Sequence, residues 1–352
     1  MSRDGAGAEL RAAIAASDDG ALRFDEFMRL ALYGEDGFYI TTRAGGGRAG
    51  RRGDFLTAAE VGPLFGVLVG RYLDAEWDRI GQPNPFVVVD AGAGPGTLAR
   101  SVLAATPHCR DALTYVTVER SASQRAAHPQ GVESRATMPT DPFDGVVLAV
   151  ELLDNLPFRL AVFDGSWREA FVVTAGDDFA EVLSAPLSPV PAVLPSRPSH
   201  GARAPLCAEA AAWVETTCRL LRRGSLLMVD YARPTAQLAA LPWRNWLRTY
   251  RRHERGGHYL RDAGEQDLTA DVAIDQLPSP ATVCTQAEFL RRLGIEELVA
   301  EGRTLWAAGA ASPDVGAMTM RSRVREAEAL LDPDGLGAFT VAEWRSDRNG
   351  AS

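Results

Sequence analysis

Lysine is absent from this sequence: all 37 of its basic side chains are arginine. That absence removes whole reaction classes. A phosphate-cradling P-loop needs its lysine. A Schiff-base or pyridoxal enzyme needs a lysine amine, and a protein kinase needs a strand lysine. Cysteine is scarce. Cys109, Cys207, Cys218 and Cys284 are scattered without a C-x-x-C pair, so reduced thiols are expected rather than a disulfide framework. The five histidines form no ligand pattern, since His253 and His258 have no third ligand nearby in sequence, and no metal is expected. No apolar run reaches the roughly 18 residues of a membrane helix. Residues 1–10 carry Asp4 and Glu9 and lack an apolar stretch, so neither a signal nor a transit peptide is read there and a cytoplasmic location is the default. A net positive charge is missing too. The formal charge of −9 opposes a nucleic-acid partner, which needs a basic face.

What remains is ordinary globular composition, 46% hydrophobic and 24% charged, enough for a large core. At roughly 150 residues per domain, the length suits one elaborated domain or two small ones. Residues 24–32 read as a helix with Phe24, Phe27, Met28 and Ala31 on one side, followed by an aromatic turn from Tyr33 to Tyr39. Residues 43–53 read as a mobile Gly/Arg loop. A second helix is expected over 63–80, with Pro63 in its first turn and Phe65, Leu68, Val69 and Tyr72 as its buried stripe.

Beyond residue 82 strand and helix alternate. Strands are expected at 86–90, 113–119, 144–150 and 225–230, with helices at 97–106 and 206–223, the latter closed by Gly224 at its C-terminus. Residues 167–173 read as an edge strand, residues 186–205 as a Pro/Ser-rich surface loop, 285–293 as a helix and 339–344 as a last strand. The alternation implies an α/β fold with a doubly wound, Rossmann-like sheet.

The strongest local feature is Asp90-Ala91-Gly92-Ala93-Gly94-Pro95-Gly96-Thr97. A buried strand ends in an acid, then a glycine turn, then a helix, and the glycines let backbone pass close to a nucleoside-like ligand. The dinucleotide fingerprint G-x-G-x-x-G is not met, because Thr97 stands where its third glycine would be. An acidic strand end followed by G-x-G-x-G is similar to the first motif of class I methyltransferases. S-adenosyl-L-methionine carries an ammonium and a sulfonium, so a carboxylate at the loop is electrostatically sensible. Another nucleotide, or a purely structural turn, stays open on this loop alone. Glu119 closes the next strand, 23 residues after Gly96, where a carboxylate can accept both ribose hydroxyls.

The third strand runs into Glu151-Leu152-Leu153-Asp154-Asn155-Leu156-Pro157-Phe158. Asn155 to Phe158 resembles the N-L-P-Y signature of adenine-N6 dimethyltransferases, but Glu151 to Asp154 intervene after the strand. Glu151 and Asp154 can instead form a carboxylate pair that clamps a guanidinium. A plain reading, with Asp154 capping the next turn, stays open.

Several segments together resemble the MidA family, whose mitochondrial members are protein-arginine methyltransferases and complex I assembly factors. They are Phe24 to Tyr33 with Gly37-Phe38-Tyr39, Gly53-Asp54-Phe55-Leu56-Thr57, the Asp90 loop, Glu119-Arg120-Ser121, Glu151 with Asp154 to Pro157, Asp230-Tyr231, and Gly264 to Ala270. The resemblance implies a class I methyltransferase sheet with an N-terminal helical extension and an inserted α+β substrate region. It implies that residues 1–81 cap the cofactor pocket, with 82–352 as the methyltransferase domain and 159–205 and 233–284 as insertions. The cofactor set would be Asp54, Thr57, Asp90, Ala91, Gly92, Ala93, Gly94, Gly96, Glu119 and Arg120, and the catalytic pair Glu151 and Asp154. A protein arginine is the implied acceptor, in a monomer or homodimer. Val150, Asn155, Ala232 and Asp271 depart from the family pattern. A small-molecule acceptor, or a weakly active scaffold that binds a partner protein, are the alternatives.

Overall fold

The computed structural model describes residues 5–40, 57–251, 254–309 and 315–347. The loop expected at 43–53 and Asp54 lie outside them. The central sheet has seven strands: β1 (Phe86–Ala91), β2 (Leu113–Val118), β3 (Glu133–Arg135), β4 (Phe143–Val150), β5 (Leu221–Asp230), β6 (Thr282–Thr285) and β7 (Thr340–Asp347). Their order in space is β3-β2-β1-β4-β5-β7-β6. β3, β2, β1, β4 and β5 pair in parallel, and β7 is antiparallel to both β5 and β6.

The near-continuous apolar runs explain the parallel core, because both faces of these strands are covered. Side chains alternate between two hydrophobic clusters. Val88, Val146, Leu148, Leu227 and Val229 join the cluster that holds Phe65, Leu68 and Leu98. Their neighbours Val89, Val147, Ala149, Leu226 and Met228 join the other, with Phe24, Phe27, Val214 and Trp246. Period-two alternation thus sorts one run into two cores, one on each face of the sheet. Each fully buried Val or Leu contributes about 1.5–3 kcal/mol, against about 0–1 kcal/mol for an exposed ion pair. Burial therefore sets the architecture, and the surface arginine pairs trim it.

Gly224 is not a helix cap. The helix Ala208–Leu220 runs directly into β5 at Leu221, and Gly224 sits inside that strand, opposite Gly145 of β4. A Cβ on Gly224 would lie 1.7 Å from the Gly145 carbonyl oxygen, and one on Gly145 would lie 1.8 Å from that of Val87. Three strands close up at two glycines, which a local helix-ending rule cannot see.

A second sheet is assembled from Leu22–Arg23, Arg159–Phe163, Trp167–Ala175, Asp178–Leu183 and Arg203–Leu206. Trp167–Ala175 is not an edge: Leu22–Arg23 and Asp178–Leu183 pair with it as well as Arg159–Phe163. Pro205, expected in a loop, lies in the Arg203–Leu206 strand opposite Leu160. That strand ends the path, where a missing N–H is tolerated. Leu247–Arg251 pairs with Glu254–Arg255 and Asp267–Ala270 in a third, small sheet. The helices Gly5–Ala16, Ile295–Gly309 and Val315–Leu331 had no sequence expectation.

Gly224→Ala is expected to cost about 3 kcal/mol or more, since backbone must move to admit the methyl. Gly257→Ala, whose Cβ would meet only the Arg261 side chain at 3.8 Å, should stay within about 0.5 kcal/mol. Chemical denaturation of both variants checks this, and similar midpoints would contradict it.

Candidate cofactor and acceptor site

β1, β2 and β4 end on the same edge of the sheet, and β1 and β4 flank the point where strand order reverses. Open α/β sheets bind ligands there. A cavity of about 410 Å³ opens at this edge. Thr57, Asp90, Ala91, Gly92, Ala93, Gly94, Glu119, Arg120 and Glu151 all line it, whereas Gly96 and Asp154 do not.

The glycine loop is shaped by positive φ values: 71° at Gly92, 53° at Gly94 and 76° at Gly96. Only glycine takes such angles without strain. The Gly92 and Ala93 amides donate to the Val118 carbonyl at 2.9 and 3.0 Å, fastening the loop to β2. Gly96 is the residue before the helix Thr97–Ala104. His128, which the sequence did not flag, supports the loop from below: its Nε2 lies 2.9 Å from the Gly94 carbonyl oxygen. A carbonyl can only accept, so Nε2 carries the proton. Nδ1 is then the acceptor, its single lone pair facing the hydroxyls of Thr117 and Ser134, both 2.8 Å away.

The Glu119 carboxylate accepts from the Gly94 amide at 3.1 Å and the Ser121 amide at 2.8 Å. Burial raises its pKa against the pull of those amides. Asp90 is 3% exposed. Burial pushes its pKa up to about 7, the Tyr115 hydroxyl at 3.3 Å pulls it down, and Glu119 nearby raises it.

Glu151 stands where β4 ends, at φ 51°, unusual for a side chain other than glycine. Its amide donates to the Val229 carbonyl at 2.8 Å, which holds the strained turn. Its Oε1 accepts from the Ala58 amide at 2.8 Å, at the start of the short helix Ala58–Val61. Thr57-Ala58-Ala59-Glu60 has the spacing of a capping box, but the helix start is built otherwise. Thr57 is the N-cap residue, but its side chain makes no capping bond, and Glu151 from a distant strand bonds that helix end instead. Burial pushes the Glu151 pKa up to about 8, with the charge of Asp154 raising it further.

Asp154 is buried behind the cavity wall. Its Oδ2 accepts from the Thr269 hydroxyl, and its Oδ1 has no hydrogen-bond partner. Burial raises its pKa while Thr269 and the Arg248 guanidinium lower it. Asp230, at the end of β5, accepts from the amides of Leu153, Asp154 and Tyr231 at 2.9, 3.2 and 2.9 Å. Asp230 therefore fixes the turn that carries Asp154. Burial, together with Asp154 and Glu151, raises its own pKa well above the ordinary range. The Asn155 carboxamide donates to Asp267 Oδ1 at 3.2 Å and to the Leu268 carbonyl at 3.3 Å, so it is not presented to a planar amine as an N-L-P-Y asparagine would be. Asp271 pairs with Arg233 and, at 2.7 Å, with Arg248.

The remaining walls carried no sequence signal. Met138 and Thr137 come from the segment after β3, and Trp213 from the helix Ala208–Leu220. Among the described residues, five acids line the cavity (Glu60, Asp90, Glu119, Glu151 and Glu209) against one cation, Arg120. A glycine cradle under an acidic wall fits a nucleoside that carries positive charge and a ribose.

Comparison with known proteins agrees. Residues 68–292 match a family of S-adenosyl-L-methionine-dependent methyltransferases. The chain belongs to this family. It is 31% identical to a Drosophila melanogaster protein named protein arginine methyltransferase NDUFAF7 homolog, mitochondrial, over 75% of this chain and 67% of that one. It is 25% identical to mouse NDUFAF7, also named mitochondrial, over 70% and 65%. The chain thus spans about two thirds of the length of these curated relatives. A Burkholderia thailandensis protein crystallised with S-adenosyl-homocysteine shares 26% identity and superposes with a TM-score of 0.81, over 98% of this chain and 93% of that one. The MidA resemblance, the methyltransferase fold and the cofactor S-adenosyl-L-methionine are borne out. The cytoplasmic expectation is overturned, because the curated relatives are named as mitochondrial.

Gly94→Val places a branched side chain at φ 53° and should abolish the loop's shape. S-adenosyl-homocysteine affinity is expected to fall at least about a hundredfold, some 2.7 kcal/mol, with a melting temperature only a few degrees lower. Titration calorimetry of the folded variant reads this directly, and retained affinity would contradict the placement of the cofactor.

Proposed function

We propose that this methyltransferase modifies a guanidinium nitrogen of a protein arginine, with Glu151 meeting the acceptor. The observation that carries this reading is the Glu151, Asp154 and Asp230 cluster. Glu151 stands on the cavity wall with Asp154 and Asp230 buried behind it, and burial raises the pKa of each. Such a site stabilises an incoming cation, because the cation relieves the desolvation of the carboxylates. A guanidinium is charged at every accessible pH and planar, so it suits a carboxylate fork. The arginine specificity in the names of the curated relatives supports the same acceptor.

The residues proposed to hold the cofactor are Asp54, Thr57, Asp90, Ala91, Gly92, Ala93, Gly94, Gly96, Glu119 and Arg120. Gly96 acts through the loop, since it does not line the cavity. S-adenosyl-L-methionine supplies an activated methyl group, so the protein's contribution is chiefly placement. Glu151 accepts an N–H of the acceptor and draws its charge away from the attacking nitrogen. Asp154 does not touch the acceptor in this scheme. It is a positioning residue, locked by Thr269 and by the turn on Asp230, and its charge keeps the Glu151 proton affinity high. Methylation releases one proton, and Glu151, with a pKa near 8, can take it.

The sign of the pH dependence follows. Glu151 must be ionised to accept the N–H, so kcat/KM should rise with pH and level off above about 8. Glu151→Gln should lower kcat on an arginine-containing protein by at least about a hundredfold, and change S-adenosyl-homocysteine affinity far less. Mass spectrometry for methylarginine after incubation with mitochondrial protein identifies the acceptor. Labelled small molecules without labelled protein would reject the arginine reading.

A further inference from the structure

Tyr33 and Tyr39 line the same cavity from the N-terminal segment, their rings stacked at 5.6 Å and 20°. Both hydroxyls are engaged on one wall. Tyr33 donates to the Asn155 carbonyl at 3.1 Å, and Tyr39 donates to Asp267 Oδ1 at 2.9 Å. With the hydroxyls anchored, the rings are held as a fixed aromatic step. The Arg120 guanidinium lies over the Tyr33 ring, 5.0 Å from its centre.

That arginine is unusual in its setting. It is the one cation lining the cavity among the described residues, and its side chain is exposed. The described residues give it neither an ion pair nor a side-chain hydrogen bond, although Glu119 is its neighbour in sequence. Its guanidinium rests on the Tyr33 ring face. Burial and then the charges of Asp267, Asp154 and Glu119 raise the Tyr33 pKa, while Arg120 lowers it. An aromatic face on the wall of an acidic cavity, already covered by one guanidinium, is a site for a planar cation, and stacking suits a guanidinium better than an ammonium.

We infer that the Tyr33 ring face is the stacking site of the acceptor guanidinium, and that Arg120 covers it until the acceptor arrives. This rests on the arginine reading proposed above. Arg120 thus acts as an intramolecular competitor that a cationic acceptor displaces, and Tyr33 selects planar cations over point charges. Arg120 then has two settings: over the ring without the acceptor, and swung aside toward the cofactor side of the cavity when the acceptor is bound. No bond is made or broken.

The test is titration calorimetry of the full chain saturated with S-adenosyl-homocysteine, using an arginine-glycine peptide and its lysine counterpart. Arg120→Gln should tighten the arginine peptide about threefold, the reach of one exposed cation–π contact. Tyr33→Leu should weaken it at least tenfold, and Tyr33→Phe, which keeps the ring, should bind within about threefold of the unmodified chain. In the Tyr33→Leu background, Arg120→Gln should have no effect, because the competed face is gone. If Arg120→Gln tightens the peptide equally in both backgrounds, the effect is general charge and the inference fails. If the unmodified chain binds the arginine peptide and Arg120→Gln does not tighten it, the inference fails while the arginine reading stands. If the saturated chain binds neither peptide in any variant, the arginine reading fails and takes the inference with it.

Discussion

Negative charge held out of water at one edge of the sheet governs this molecule. Four parallel strands carry an acid at or just past that end: Asp90 as the penultimate residue of β1, Glu119 just after β2, Glu151 just after β4 and Asp230 as the last residue of β5. Removing a carboxylate from water costs several kcal/mol even after relaxation. The fold offsets that cost with backbone amides: two for Glu119, one for Glu151 and three for Asp230. Among the described residues, Asp90 has the Tyr115 hydroxyl and no backbone amide. The compensation is partial, and the raised proton affinities of all four groups record what remains. A ligand that brings positive charge completes it.

The rest of the structure makes that arrangement affordable. Two apolar cores grip the sheet on both faces, so strand ends are fixed by packing rather than by the acids themselves. Gly145 and Gly224 bring β1, β4 and β5 close together near their starts. The strained φ of Glu151 is held by its amide bond to Val229 and its carboxylate bond to Ala58. The N-terminal segment then closes the site from the other side, with Tyr33 and Tyr39 tied to Asn155 and Asp267.

Much of this was legible in the sequence where the cause is local. Apolar runs of Val and Leu gave the strands, and Asp90 to Gly96 gave a turn whose glycines do take positive φ. Acids at strand ends were readable as acids, and their convergence followed from parallel pairing. What was not legible depends on contacts between distant segments. Gly224 looks like a helix end unless Gly145 is known to face it. Trp167–Ala175 looks like an edge because its extra neighbours include the two residues Leu22–Arg23. Asp154 follows Glu151 by three positions, yet the Asp230-bound turn and the Thr269 hydroxyl turn it away from the cavity. His128 supports the glycine loop through a single nitrogen, and no spacing rule announces that.

With proton affinities raised toward neutral pH, Asp90 and Glu151 should give up protons when the cationic cofactor binds beside them. Calorimetric titration of S-adenosyl-L-methionine at pH 7, repeated in buffers of different ionisation enthalpy, measures it. With the Asp90 pKa pushed up to about 7 and that of Glu151 to about 8 before binding, the expected result is a net release of protons to buffer and an affinity that climbs as pH rises from about 6 to 8. A binding enthalpy independent of the buffer, with an affinity flat across that range, would contradict it.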